Sequence, residues 1–317
     1  MLLERTITQA GKRHHKHKLI SKPFDLKRAF RLIDYLTFAY LGILAVVLVF
    51  FHRGVQHWPL IVVGHFFFIA ALTFVIKFSA TSSSRILRLF RDGYPFLLYT
   101  FLFEEVNALI NIFFPFWLEG WLIKWDYFLF GNHPTVWLQK IYRPWLTEVM
   151  AFSYWSYYIL IPFGGILLYL RRRKQLFHSF VFNLSFTLYT CYLSFLFLTA
   201  RGPHETLAQF HVQRAPAGFF DHLVRTIQEY ASISGAAFPS SHVTAVWIVL
   251  IFMFKYKRAL GLALLPLILT LSVAVVYMQY HYAVDSIAGI ILVCLTYPLG
   301  RFLEKRYDRR TIVSVSK

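Results

Sequence analysis

Long apolar runs, each about as long as a bilayer is thick, alternate with short polar segments along this chain, and such runs have few ways to fold. About 20 residues at 1.5 Å per residue reach across the ~30 Å hydrocarbon core of a bilayer. Inside that core each backbone N–H and C=O must find its partner within the protein, so an unbroken run becomes a helix. Eight spans are expected, at 32–52, 58–79, 94–117, 146–170, 178–200, 242–256, 258–279 and 282–303. The predicted fold class is therefore all-α, a polytopic membrane helical bundle. Composition supports it: 57% of the 317 residues are hydrophobic and 15% are charged, too few to cover a soluble domain of this size. No secretory signal peptide is expected at the N-terminus, because the basic stretch is followed by a span that begins too far in and runs too long.

The formal net charge of +18 invites a nucleic-acid reading, but its distribution argues for a membrane. With the N-terminus cytoplasmic, the alternate segments 1–31, 80–93, 171–177, 255–258 and 301–317 hold 25 of the 33 Lys and Arg residues. The opposite side holds Arg53, Lys124, Lys140, Arg143, Arg201, Arg214 and Arg225, and Lys77 lies near the inner end of the second span. This is the bias of the positive-inside rule, and it accounts for the charge with no nucleic-acid partner. The run Lys12-Arg13-His14-His15-Lys16-His17-Lys18 reads as a cytoplasmic anchor on acidic headgroups. Cys191 and Cys294 lie in separate apolar runs and read as packing residues. On this topology Arg201, His242 and His281 all fall at the outer ends of their spans.

Two stretches carry chemistry: Phe238-Pro239-Ser240-Ser241-His242, and Tyr277 through Asp285. His281 and Asp285 are four apart, which puts them on one face of a helix. A carboxylate there fixes the imidazole tautomer and supports its charge, as a nucleophile or base requires. The first stretch is a turn feeding a helix N-terminus, where free N–H groups and the helix dipole favour an anion. Ser240 adds a hydroxyl donor, and His242 is placed to protonate a leaving oxygen. In the polar 200–241 segment, residues 219–230 have an amphipathic pattern suited to the interface. Glu104 and Glu105, followed by Asn107 and Asn111, lie mid-span, where a carboxylate faces the protein interior or a cavity. Either one binds a polyol headgroup, pairs with a loop Arg or makes an interhelical hydrogen bond; the sequence treats the two alike. His65 reads as a hydrogen-bonded interior residue, and Tyr154-Trp155-Ser156-Tyr157-Tyr158 as packing and interface belt.

On these residues the chain resembles the type 2 phosphatidic acid phosphatase superfamily, membrane relatives of the vanadium haloperoxidases. Its motifs are Lys-x6-Arg-Pro, Pro-Ser-Gly-His and Ser-Arg-x5-His-x3-Asp. The second reads Pro239-Ser240-Ser241-His242 here, and the third keeps His281 and Asp285 but has Ala274 and Val275 for its Ser and Arg. The first is reduced to Arg201-Gly202-Pro203, with Ser194 in the place of the Lys. More narrowly, Tyr277-x3-His281-Tyr282-x2-Asp285 with Ala288-Gly289, and Asp126 to Gly131 followed by Pro134-x2-Trp137, resemble the inositol phosphorylceramide synthase branch. The resemblance covers roughly 94–303. It implies a six-helix core there, two additional helices in 32–93, a basic cytoplasmic segment in 1–31 and a basic tail in 304–317.

The resemblance further implies that His281 attacks phosphorus to give a phosphohistidine while Asp285 orients it. His242 protonates the departing alkoxide, then activates water or an acceptor hydroxyl. Arg201, Ser240 and Ser241 hold the phosphoryl oxygens; Glu104, Glu105, His204 and Arg214 are candidate substrate contacts, with Arg225 a further cation. No metal or other cofactor is implied, and the partners are a membrane lipid phosphate and the bilayer. A phosphatase passes the phosphoryl group to water; a phosphotransferase moves a headgroup such as phosphoinositol to a lipid hydroxyl. The phosphatase is preferred because the motifs demand no second substrate. A transporter or flippase would need polar residues spread through several spans and helices broken at the midplane. The compact chain points to a bacterial inner membrane with both termini cytoplasmic and the site periplasmic.

Overall fold

The computed structural model describes residues 29–212 and 216–313. Within them lie α1 (Leu32–Phe51), α2 (Trp58–Thr81), α3 (Arg85–Leu109), α4 (Glu119–Phe130), α5 (Pro134–Trp137), α6 (Pro144–Leu170) and α7 (Lys174–Phe197). The chain continues through α8 (Pro203–Thr206), α9 (Phe219–Ala231), α10 (Ser241–Tyr256), α11 (Arg258–Tyr277) and α12 (Ala283–Val313). The architecture is an all-α polytopic bundle. Strand-type pairing among the described residues is limited to one parallel bridge between Ala200 and Ala236.

Among the described residues six helices, α1, α2, α6, α7, α11 and α12, are long and apolar enough to cross a bilayer. The other two expected spans are helices of a different make. α10 has only 16 residues. α3 has 25 but carries Arg85, Arg88, Arg91, Asp92, Glu104 and Glu105. It also occupies 85–109 rather than the expected 94–117. Its polar first turns are capped by Ser84, whose Oγ accepts from Leu87 N at 3.4 Å. They are then settled by a buried Arg91–Asp34 pair at 2.5 Å and by Tyr94 donating to Asp34 at 2.8 Å. At the other end Asn111 takes a left-handed φ of 62°, which stops the helix although apolar residues follow. Beyond the expected end at 303, α12 continues as helix to Val313.

The centre of the bundle is α10, which packs on α6, α7, α11 and α12. Ala245, Ile248, Val249, Phe252 and Met253 on it are fully buried. A Cβ on Gly289 of α12 would stand 3.0 Å from both Ser240 O and Thr244 Oγ1, so the absent side chain lets α12 lie against the start of α10. Between helices in lipid such close dispersion contact, rather than expulsion of water, holds the pair. α1 and α2 flank this core, α1 against α7 and α2 against α1 and α3. Leu60, Val63, Phe66, Phe67 and Phe74 of α2 are exposed, the outward apolar face of a helix meeting lipid.

The short helices gather at one end of the bundle, where α7 and α11 finish and α10 and α12 begin. Asp126 of α4 accepts from Ala283 N at 3.1 Å and Val284 N at 2.9 Å, capping α12 from a distant segment. Glu148 of α6 does the same for α9, accepting from Phe220 N at 2.7 Å and Asp221 N at 3.1 Å.

Candidate active site

His281 sits in the turn from α11 to α12, where the N–H groups of Tyr280 and His281 both donate to Val275 O at 3.1 Å. Asp285, in the first turn of α12, accepts from Tyr282 N at 2.8 Å. The Nδ1 of His281 lies 2.9 Å from Ala237 O and 3.3 Å from Asp285 Oδ2. Both partners are acceptors, so Nδ1 carries the proton and Nε2 keeps its lone pair. The residue is 5% exposed and lines a cavity of about 340 Å³.

His242, one residue into α10, stands across that cavity with its ring centroid 5.6 Å from that of His281. The Tyr154 hydroxyl is 3.1 Å from its Nε2, and Gln228 Nε2 donates to the same hydroxyl oxygen at 2.5 Å. An oxygen already accepting from an amide turns its own proton toward the imidazole. The Nδ1 of His242 is buried with no partner. Tyr157 and Tyr158 complete the surround, at 4.4 Å and 6.5 Å between centroids. The 154–158 cluster, expected as packing and interface belt, thus puts three tyrosines on the cavity, while Trp155 packs against Phe220.

The two serines divide their tasks differently from the expectation. Ser240 is the N-cap of α10: it is fully buried, its Oγ accepts from Val243 N at 3.4 Å, and it lies outside the cavity lining. Ser241 lines the cavity as the first residue of the helix. A cap serine must aim its oxygen back at the first-turn amides, which takes it away from a ligand.

Arg201 stands beside the cavity rather than in its wall. The bridge residues hold its segment to the His242 loop, with Ala200 N donating to Gly235 O and Ala237 N to Ala200 O, each at 3.1 Å. Its guanidinium donates to Glu119 Oε1 through Nε at 2.9 Å and Nη2 at 2.5 Å, and lies 4.9 Å over the Trp117 ring. Arg225 is paired with Asp221 at 2.9 Å. Arg214 lies outside the described residues. No Lys or Arg among the described residues lines the cavity. His204 does line it, against Tyr280 at 5.6 Å. Burial pushes the His204 pKa below its ordinary 6.5, against the opposing pull of Glu205, so its ring is neutral at pH 7.

Glu104 and Glu105, alike in sequence, face different ways. Glu105 bonds the Nε2 of His65 on α2 at 2.7 Å, an interhelical hydrogen bond. Glu104 lines the cavity with Phe96, Tyr99, Thr100 and Phe103 of the same helix. Three residues that shape the site had no such role in the sequence reading: Tyr154, Gln228 and Asp126. The spacing 154, 157, 158 was the available signal, since it places three hydroxyls on one helical face. Among the described residues, no group of three or more His, Cys, Asp or Glu is arranged to hold a metal ion.

A histidine pair facing one cavity, one of the two hydrogen-bonded to a buried carboxylate, is an arrangement that can serve acid–base or nucleophilic catalysis at the helix ends of this bundle. The family model of the PAP2 superfamily matches residues 120–299, more than half of the chain, and the chain belongs to that superfamily. No curated protein and no solved structure matches it.

Proposed function

We propose that this protein is a lipid-phosphate phosphatase that works at the outer membrane face through a phosphohistidine. The observation that carries the reading is His281, with its Nδ1 proton anchored by Ala237 O and Asp285 and its Nε2 open to a cavity shared with His242. Nε2 attacks phosphorus, an N–P bond forms, and the P–O bond to the lipid breaks. His242 enters this step as the imidazolium, with its Nε2–H donating to the Tyr154 oxygen; the departing alkoxide takes its other proton and leaves the neutral imidazole. His242 then removes a proton from water, the water oxygen displaces the histidine, and phosphate leaves. Asp285 stabilises the imidazolium that develops on His281. Phosphoryl oxygens are held by the first N–H groups of α10 and by the Ser241 hydroxyl, in the field of the helix N-terminus.

One observation favours a second reading, transfer of a phospho-headgroup to a lipid hydroxyl. A wall without Lys or Arg suits a singly charged phosphodiester better than a monoester carrying roughly −1.5 to −2 at pH 7. The purified protein incubated with phosphatidate, polyprenyl diphosphate and phosphatidylinositol, each with and without diacylglycerol or ceramide, separates the two. Free phosphate without acceptor supports hydrolysis; product that forms only with acceptor replaces it by transfer. Absence of turnover on all of them in a folded sample would sink both.

A further inference from the structure

The cavity is not a bowl under the two histidines but a slot that runs down between two helices. Its lining on α3 is Phe96, Tyr99, Thr100, Phe103 and Glu104, and on α6 it is Tyr154, Tyr157, Tyr158, Ile161 and Pro162. Both sets repeat at i, i+3, i+4, i+7, i+8, so one continuous face of each helix looks onto the other. The two helices do not pack closely, because α3 leans on α2 and α7 while α6 leans on α7, α9, α10 and α11. Phe96 closes the lower end: a Cβ on Gly165 would stand 2.5 Å from its Cζ, so the ring rests on the glycine. From Tyr154 to Pro162 the slot follows eight helical steps of α6, roughly 12 Å. That is room for an extended hydrocarbon chain.

One residue does not belong in a plain hydrocarbon slot. Glu104 is exposed in the lining and has no hydrogen-bond or ion-pair partner among the described residues, whereas its neighbour Glu105 is satisfied by His65. Among the described residues it is the one carboxylate in a wall otherwise built of aromatic, aliphatic and neutral polar groups and three histidines. A carboxylate that faces a cavity at this depth takes its donor from whatever fills that cavity. A phosphate would be repelled by it, so its partner is another part of the ligand.

We propose that the α3–α6 slot takes the hydrocarbon of a lipid whose polar region bears an N–H or O–H donor, and that Glu104 accepts from that donor. The proposal rests on the lipid-phosphate reading and adds a substrate or acceptor class to it: hydroxyl-, amide- or amine-bearing lipids over those with only ester and ether oxygens. Thr100, one turn from Glu104 on the same wall, supplies a second polar contact at that depth.

The test is binding, independent of turnover. The full chain in detergent micelles is titrated with hexadecanol, hexadecylamine or hexadecyl methyl ether, and affinity is read from the rise in thermal midpoint. The alcohol and the amine should each bind roughly tenfold tighter than the ether, as a hydrogen bond to a charged acceptor gives. Glu104→Leu should bring all three to the affinity of the ether, and Glu104→Gln should keep the advantage of the alcohol while losing that of the amine. His281→Ala should leave the preference intact. Equal binding of the three to the unaltered protein, no binding of any, or a preference that survives Glu104→Leu would overturn the proposal. Glu104-dependent binding in a protein that turns over no lipid phosphate would keep it and remove the catalytic reading instead.

Discussion

His281 holds its proton between two acceptors, and the pair predicts how far catalysis falls when one is altered. With Asp285→Asn the side-chain amide can present N–H to Nδ1 and favour the wrong tautomer, a change that costs about 10⁴-fold in a serine protease triad. Here Ala237 O still demands a proton on Nδ1 at 2.9 Å, so the loss should be smaller, on the order of 100-fold in kcat. His281→Ala should remove turnover altogether, and with it the phosphoenzyme trapped by acid quench. At His242 the Tyr154 hydroxyl and Gln228 form a positioning chain. Tyr154→Phe should lower kcat about tenfold on an alkyl phosphate, where the leaving oxygen needs a proton. On p-nitrophenyl phosphate, whose leaving group departs unaided, the same variant should lose little; equal losses on both would make Tyr154 merely structural. The histidines and Asp285 were legible because their spacing states a geometry. The roles of Ser240 and Ser241 were not, since moving a helix start by one residue exchanges the cap for the ligand-facing position.

Elements bring those residues together, and the least obvious of them is α4. Its Asp126 spans 157 positions of sequence to cap α12 at the turn that holds His281. Removing it with Asp126→Ala should cost about 1 kcal/mol of stability, as loss of a side-chain cap does. It should also loosen the His281 turn, seen as a fall in kcat larger than any rise in KM. The short α8 carries a pH effect through His204. Its folded pKa lies below the unfolded 6.5, so as pH drops past that value the unfolded chain binds protons that the folded chain refuses. Stability attributable to this site is therefore complete above 6.5 and declines as pH falls toward the lowered pKa. Between pH 7 and 5 the thermal midpoint should fall further in the unaltered protein than in His204→Gln, and an equal fall would remove His204 as a source. Helix boundaries were the part of the fold least legible. Hydropathy followed the apolar residues past Leu109 and missed the polar turns from Arg85, because the Arg91–Asp34 pair that accommodates them joins two helices. The slot was hidden for a similar reason, since its walls are regular faces on α3 and α6 whose separation only the packing of other helices sets.

At the scale of the molecule, the fold class followed from the apolar runs, and the remaining question is which way the bundle stands. Charge supplies the argument. Arg171, Arg172, Arg173, Lys174, Lys255, Lys257 and Arg258 lie at the α6–α7 and α10–α11 turns, the end opposite the histidines. Lys and Arg are retained on the cytoplasmic side, which would leave the cavity mouth on the other face. α9 reports on that mouth, because Gln228 and Ala231 line the cavity while Tyr230 between them is 82% exposed. In a Cys294→Ser background, with Cys191 buried, a Tyr230→Cys thiol should react with a membrane-impermeant maleimide added to intact cells. An Arg171→Cys thiol should react only in inverted vesicles. The opposite pattern would turn the bundle over, put the cavity before the cytoplasmic leaflet, and assign the enzyme a different pool of lipid phosphates with the same histidine chemistry.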